Sequence, residues 1–279
     1  MKKKKIINIL MTICILVAVG CGGYLAYYYY TSHKSESNID ELRSRIGDNI
    51  TSIDDNVMGG DKEEVAEVKG KPEPPMVEVK GVRIQKKFED LYRTNNDFVG
   101  WLKIDDTNVD YPVMYTPDDN ERGEHYIHLD FEEKYSAAGL PFIDKNCDLV
   151  LPTDNIIIYG HNMNSGKMFH DIMKYENEDF YNSHKTFTFD TIYGDGTYEV
   201  VAMFYAQILP DDSKEFKYYQ FVNAGSAQEF ENYIDNIKHM SLIDTGVDVK
   251  FGDKLVTLST CAYHVDDGRF AVIAKKCSD

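Results

Sequence analysis

Cys261, His161 and Arg269 are the residues whose types and placing could do covalent chemistry. Cys261 closes the stretch Thr257-Leu258-Ser259-Thr260-Cys261, at the end of an apolar run from Lys254 to Leu258 that reads as a buried strand. Arg269 follows eight residues later, across a short polar loop. A second apolar run, Asn155-Ile156-Ile157-Ile158-Tyr159-Gly160, ends directly on His161. A thiol, an imidazole and a guanidinium at or just beyond strand ends are the inventory for acyl transfer through a thioester. The thiol would attack a carbonyl and the imidazole would move the proton. The guanidinium would hydrogen-bond the oxygen as negative charge develops on it. It cannot lose its own proton, so it cannot serve as the base.

Other residues compete for these roles. His264 lies three residues after Cys261 and needs no fold to bring it near. A loop residue is poorly held, however, whereas strand ends position side chains rigidly, so His161 is the preferred base. Asp266 and Asp267 either orient Arg269 or His264 or are solvated turn residues. His125 and His128 form a His-x-x-His pair, but no further ligands can be placed, so neither a metal nor a cofactor is expected. Of the five cysteines, Cys14 and Cys21 sit in the apolar N-terminal segment. Cys147, Cys261 and Cys277 are an odd number, so at least one is free in a monomer. A Cys147–Cys277 bridge is open, since spacing does not fix pairing.

Strand-like runs must carry these groups. They fall near Val99–Ile104, Asn108–Tyr115, Gly139–Asp144, Asn155–Tyr159, Thr186–Asp190, Thr197–Leu209, Lys254–Ser259 and Phe270–Lys275. All are rich in Val, Ile, Tyr and Phe and are separated by Asp, Asn, Gly and Pro turns. Helices are expected at Lys167–Lys174, Asn177–Lys185 and Ala227–His239, the last with Ser226 as N-cap and Glu229 completing a capping box. Ile84, Phe88, Leu91 and Tyr92 share one face of a predicted helix over Ile84–Tyr92. The fold class is mainly β with helical insertions: an eight-stranded, closed or nearly closed barrel. Strand order does not follow from these patterns.

The chain divides into four parts. Residues 1–5 form a basic tail and residues 6–30 an apolar anchor. At ~1.5 Å per residue, roughly 25 residues cross a ~30 Å hydrocarbon layer with some tilt. The lysines stay cytoplasmic, which puts the rest outside, and Tyr24 and Tyr27 to Tyr30 form an aromatic belt. No small-x-small cleavage site precedes the tyrosines, and Ala18 stands where a lipoprotein signal usually has leucine, so the anchor is read as uncleaved. Residues 31–76 are an acidic stalk and linker. Ile39, Leu42, Ile46, Ile50, Ile53 and Val57 recur at helical spacing there, which suggests a stalk helix or a weak self-association seam. Gly59-Gly60 and the Pro-rich stretch from Lys69 to Pro75 read as linker. Residues 77–279 form the compact catalytic domain. The net charge of −17 excludes nucleic acid as a partner.

Three segments together resemble a class B sortase. Thr257-Leu258-Ser259-Thr260-Cys261 with Arg269 is similar to the family's cysteine signature. Tyr159-Gly160-His161-Asn162-Met163 is similar to its segment around the histidine. Asn96 to Ile104 and Tyr111-Pro112-Val113 resemble the start of its barrel. The resemblance covers roughly residues 80 to 279. It implies an eight-stranded sortase-type barrel with an N-terminal helix and a helix between the sixth and seventh strands. It implies a membrane-anchored cysteine transpeptidase, with its catalytic domain outside a Gram-positive cell and Cys261, His161 and Arg269 as the site. Its partners would be secreted proteins bearing a C-terminal sorting motif and an amino group of the cell-wall precursor peptide. Cys261 would attack after the motif's threonine, and the active pair would be thiolate and imidazolium. Tyr159, Ser259 and Thr260 would line the substrate groove. A pilin-polymerising enzyme with a lysine acceptor, plain proteolysis, and a non-catalytic tethered binding module stand as alternatives. Cys147 and Cys277 depart from the family's usual single cysteine.

Overall fold

Period-two alternation along the chain becomes a two-faced sheet that closes on itself. The structure is a computed structural model describing residues 2–57, 74–118 and 124–278. Eight strands form the barrel: β3 (Phe98–Lys103), β4 (Asp110–Met114), β5 (Phe142–Ile143), β6 (Asn155–Tyr159), β7 (Thr186–Thr191), β8 (Thr197–Gln207), β9 (Leu255–Cys261) and β10 (Gly268–Lys276). Their order is β10-β8-β7-β3-β4-β5-β6-β9, and β9 closes against β10. The β4–β5 and β6–β9 pairs are parallel and the others antiparallel. Each expected strand is present, with ends shifted by up to three residues.

Alternation on β10 shows how the two faces are used. Phe270, Val272 and Ala274 join the barrel core, whereas Ala271 and Ile273 lie in a second core beneath α4 (Ala227–Met240). Phe230, Tyr233, Ile234 and Ile237 supply that helix's apolar stripe at three- and four-residue spacing. Ser226 caps α4 by accepting from Glu229 N at 3.2 Å. Glu229 reaches back to Gly225 N (2.8 Å), one residue before the position a capping box would use. Before β7, a 3₁₀ segment at Phe169–Glu176 and the short α3 (Glu178–Ser183) occupy the places where two helices were expected.

Two expectations about the N-terminal part change. Met76–Val79 (β1) and Val82–Gln85 (β2) form a hairpin, turned by Lys80 and Gly81 at φ 51° and 80°. Two consecutive positive-φ residues make the tight turn that matches strand twist. The predicted helix over Ile84–Tyr92 therefore begins late: a 3₁₀ turn spans Lys86–Phe88, and α2 runs over Glu89–Thr94. Its four apolar residues are all buried as the spacing required.

The second change concerns the stalk. A single helix, α1, runs from Lys2 to Val57. The first half of its seam is directed at the chain's own barrel: Ile39 and Leu42 are buried and Ile46 packs against the same core, while the side chains of Ile50, Ile53 and Val57 lie outside those described. Polar contacts flank the seam. Glu36 pairs with Lys167 (2.7 Å), Arg43 donates to the Asp110 carbonyl (2.8 Å), and Arg45 holds Asp90 (2.5 Å). The linker residues 59–60 and 69–73 lie outside the described residues.

Candidate active site

Register brings the three candidate residues to one rim. Arg269 on β10 is the direct antiparallel partner of Cys261 on β9. Directly opposed residues share a face of the sheet, so thiol and guanidinium project together. On the other side, β6 pairs in parallel with β9 through Tyr159↔Ser259. Continuing that register by two residues brings His161 level with Cys261. All three border a cleft of about 340 Å³ whose walls include Ile127, Leu140, Phe142 and Ile208, with Glu124 and Asp144 as acidic lining.

Two glycines permit this close assembly. A side chain on Gly268 would start 2.2 Å from the Ala262 carbonyl, inside the β9–β10 turn that sets Arg269 against Cys261. A side chain on Gly160 would start 2.7 Å from the Phe169 ring, displacing the residue just before His161. Neither approach tolerates a Cβ.

His161 is half-buried, and its Nε2 lies 2.8 Å from the Ile127 carbonyl. A carbonyl only accepts, so Nε2 carries the hydrogen and Nδ1 remains to exchange a proton. Burial holds the imidazole pKa below its ordinary 6.5, with nearby His128 lowering it further and the Ile127 bond opposing both. His128 stacks on His161 at 5.3 Å between ring centres and 20° between planes. Arg269 Nη1 donates to the Gly268 carbonyl at 3.0 Å. That uses one of five N–H groups and leaves others for a ligand.

Residues 102–277 match the Sortase domain family. The chain belongs to the sortase family. Its class is B: it is 32% identical over 194 residues to Sortase B of Listeria monocytogenes, covering 69% of this chain and 74% of that one. It is 31% identical over 194 residues to Sortase B of Staphylococcus aureus, covering 69% and 75%. Among solved structures, a Staphylococcus aureus sortase B–substrate complex superimposes with a TM-score of 0.68 at 24% identity, over 88% of this chain and 98% of that one, and shares the fold. This sortase is a cysteine transpeptidase.

The remaining residues singled out from the sequence fall in distinct places. Ser259, Thr260 and Tyr159 border the cleft, yet their hydroxyls are engaged within the protein. Ser259 Oγ lies 2.7 Å from the Tyr218 hydroxyl, Thr260 donates to the Gly160 carbonyl (2.6 Å), and Tyr159 donates to Asp144 (3.0 Å). His264 is exposed, packs edge-on against Tyr205 at 4.7 Å and does not border the cleft. His125 packs against Tyr126 while His128 turns to His161. Among the described residues no group of three or more His, Cys, Asp or Glu side chains gathers to hold a metal. Cys147 and Cys277 are both free thiols, so no bridge joins them.

Sequence reasoning missed Ile127, Tyr218, Asn162 and His170. Tyr218 is fully buried beneath β9, and burial pushes its phenol up to about 12, so it stays a neutral hydrogen-bonding group. Asn162 directly follows His161 in the chain, but nothing in a loop's composition says where its amide points.

Proposed function

We propose that this sortase is a membrane-anchored enzyme that cleaves a C-terminal sorting motif after its threonine and transfers the protein to an amino group of the cell-wall peptide. Cys261 gives its thiol proton to His161 Nδ1, its Sγ attacks the threonine carbonyl carbon, and Arg269 hydrogen-bonds the oxygen as it gains negative charge. The C–N bond breaks, His161 gives a proton to the departing amine, and a thioester remains on Cys261. An incoming amine loses its proton to His161, attacks the thioester carbonyl and releases Cys261. Atoms and charge balance over the cycle with no cofactor.

The observation that carries this reading is the register: Cys261 lies opposite Arg269, and the parallel β6–β9 register, continued two residues past its last pair Tyr159↔Ser259, brings His161 level with Cys261. A partly apolar cleft beside them suits an extended peptide. For the anchor, Leu10–Tyr27 of α1 has a mean hydropathy of 1.9 and no buried residue, and is long and apolar enough to cross a membrane. Lys2 to Lys5 favour a cytoplasmic N-terminus, which puts the catalytic domain outside.

The test uses the full chain in detergent with a panel of peptides ending in sorting motifs. An adduct of the acyl fragment's mass on Cys261, discharged by an added amine, is the expected result. A reactive Cys261 that yields only hydrolysis, whatever amine is supplied, would overturn transfer to an amine. An inert Cys261 with every peptide would overturn the chemistry.

A further inference from the structure

The backbone ladder that aligns β6 with β9 stops short of both reacting groups. Its last rungs are Tyr159↔Ser259 and the bond from Gly160 N to the Ser259 carbonyl (3.2 Å). His161 and Cys261 lie beyond it. Two side chains continue the connection. Thr260 donates to the Gly160 carbonyl at 2.6 Å, and Asn162 Nδ2 donates to the carbonyl of Cys261 itself at 2.9 Å.

The far end of the Asn162 amide is also held. His170 Nδ1 lies 2.8 Å from Asn162 Oδ1. Because Nδ2 donates, Oδ1 must accept, so His170 Nδ1 carries a hydrogen. His170 sits in the 3₁₀ segment Phe169–Glu176, anchored by buried Phe169, Ile172 and Tyr175. Phe169 N also donates to the His161 carbonyl at 2.8 Å, and Asn162 and Met168 form a β-bridge that closes the loop between them. Neither Asn162 nor His170 borders the cleft.

We propose that Asn162, oriented by His170, is a positioning residue that fixes the separation between Cys261 and His161. This rests on the reading that those two residues exchange the proton. Asn162 touches the Cys261 backbone and the loop carrying His161, so it joins the two groups across the point where the sheet no longer does. Displacing a reacting group by about 1 Å can cost on the order of 100-fold in rate. His170 acts one step further back, through the amide it orients.

The experiment measures thioester formation and amine transfer by the full chain in detergent, with thermal unfolding as the folding control. Asn162→Ala should lower kcat about tenfold to 100-fold at unchanged KM. Asn162→Asp, which cannot donate to the Cys261 carbonyl, should fall as far. His170→Ala should lose less, and His170→Asn, whose Nδ2 can replace the lost N–H, should recover most of it. The double variant Asn162→Ala/His170→Ala should be no slower than Asn162→Ala alone, because the two act in series. Normal kcat in Asn162→Ala, a matching rise in KM, or an additive double variant would overturn the proposal. Should Asn162→Ala fail to fold, the His170 pair decides: recovery by Asn supports the relay, and equal rates in His170→Ala and wild type reject it. Cys261→Ala run in parallel separates the two ideas. An active Cys261→Ala sinks the underlying reading, whereas an inert one beside a normal Asn162→Ala sinks only the strut.

Discussion

Strand β6 serves two thiols, one near each end, and their surroundings differ in every respect that sets reactivity. Near its start, Cys147 is buried, accepts from Ile157 N at 3.4 Å and donates to the Asn155 carbonyl at 3.6 Å. Burial pushes this thiol up to about 12, which keeps it protonated at any physiological pH. Just beyond its other end, half-buried Cys261 opens onto a cleft shared with an imidazole and a guanidinium. The same residue type is thus packing against one end of β6 and a candidate nucleophile beyond the other. The two differ because Cys147 is enclosed against backbone groups of β6, whereas the β6–β9 ladder has ended before Cys261 and the cleft there admits a ligand.

The strongest way to break that contrast is to exchange the roles. Cys261→Ala should abolish the thioester while thermal unfolding stays near wild type, and Cys147→Ala should keep full turnover. A Cys261→Ala protein that still forms a covalent adduct would move the chemistry elsewhere. His161→Ala should also lose essentially all transfer, whereas His264→Ala, which alters an exposed ring against Tyr205, should keep most of it. Reversed outcomes in a peptide-cleavage assay would exchange the two histidines' roles. Arg269→Lys keeps the charge but loses the planar fork, and should lower kcat by about 100-fold, as for loss of an oxyanion donor. Steady-state kinetics within a few-fold of wild type would remove the guanidinium from the oxyanion's surroundings.

The two ends of β6 were unequally legible in the sequence. Cys261, His161 and Arg269 could be placed together because each adjoined an apolar run, and strand ends are rigid wherever the strands lie. The eight strands could be read for the same reason: alternation and turn residues are local. Their order could not, because the parallel β6–β9 join links segments about 100 residues apart and leaves no trace in either segment alone. The β1–β2 hairpin was hidden by a coincidence of spacing, since Ile84, Phe88, Leu91 and Tyr92 fit a helix equally well. The seam on α1 announced that the helix has an apolar partner; a stripe does not say which one. Ile39 and Leu42 found the barrel. Asn162 and His170 were illegible because a polar loop residue's partner depends on the whole fold.

A smaller effect sharpens the packing end. The 3.4 and 3.6 Å contacts of Cys147 suit sulfur, so an oxygen in its place sits too far from both partners. Cys147→Ser should therefore cost about 1–3 kcal/mol, the range for a buried polar group left poorly paired. Thermal unfolding should show a drop of several degrees, with transpeptidation by the surviving folded protein unchanged. A loss of kcat at unchanged stability would mean that Cys147 communicates with the cleft.

The smallest expected effect concerns the opposite sign at the active end. Burial and His128 hold the His161 pKa below 6.5, so the native state resists a proton that the unfolded chain accepts. Between the depressed native value and the unfolded value, the unfolded state binds more protons, and stability must fall as pH falls. The stability that neutral His161 permits is present above the unfolded pKa and is lost as pH drops through the native one. His161→Asn removes the titration. The wild-type protein should therefore lose stability relative to this variant as the solution is acidified below 6.5, with the difference levelling once the native imidazole is also charged. Denaturant unfolding of both proteins across that range gives the difference directly, because contributions from the other carboxylates and histidines cancel to the extent that the substitution leaves them alone. Parallel curves would mean that His161 titrates alike in both states, and the barrel end that holds the chemistry would then carry no cost in stability for burying its base.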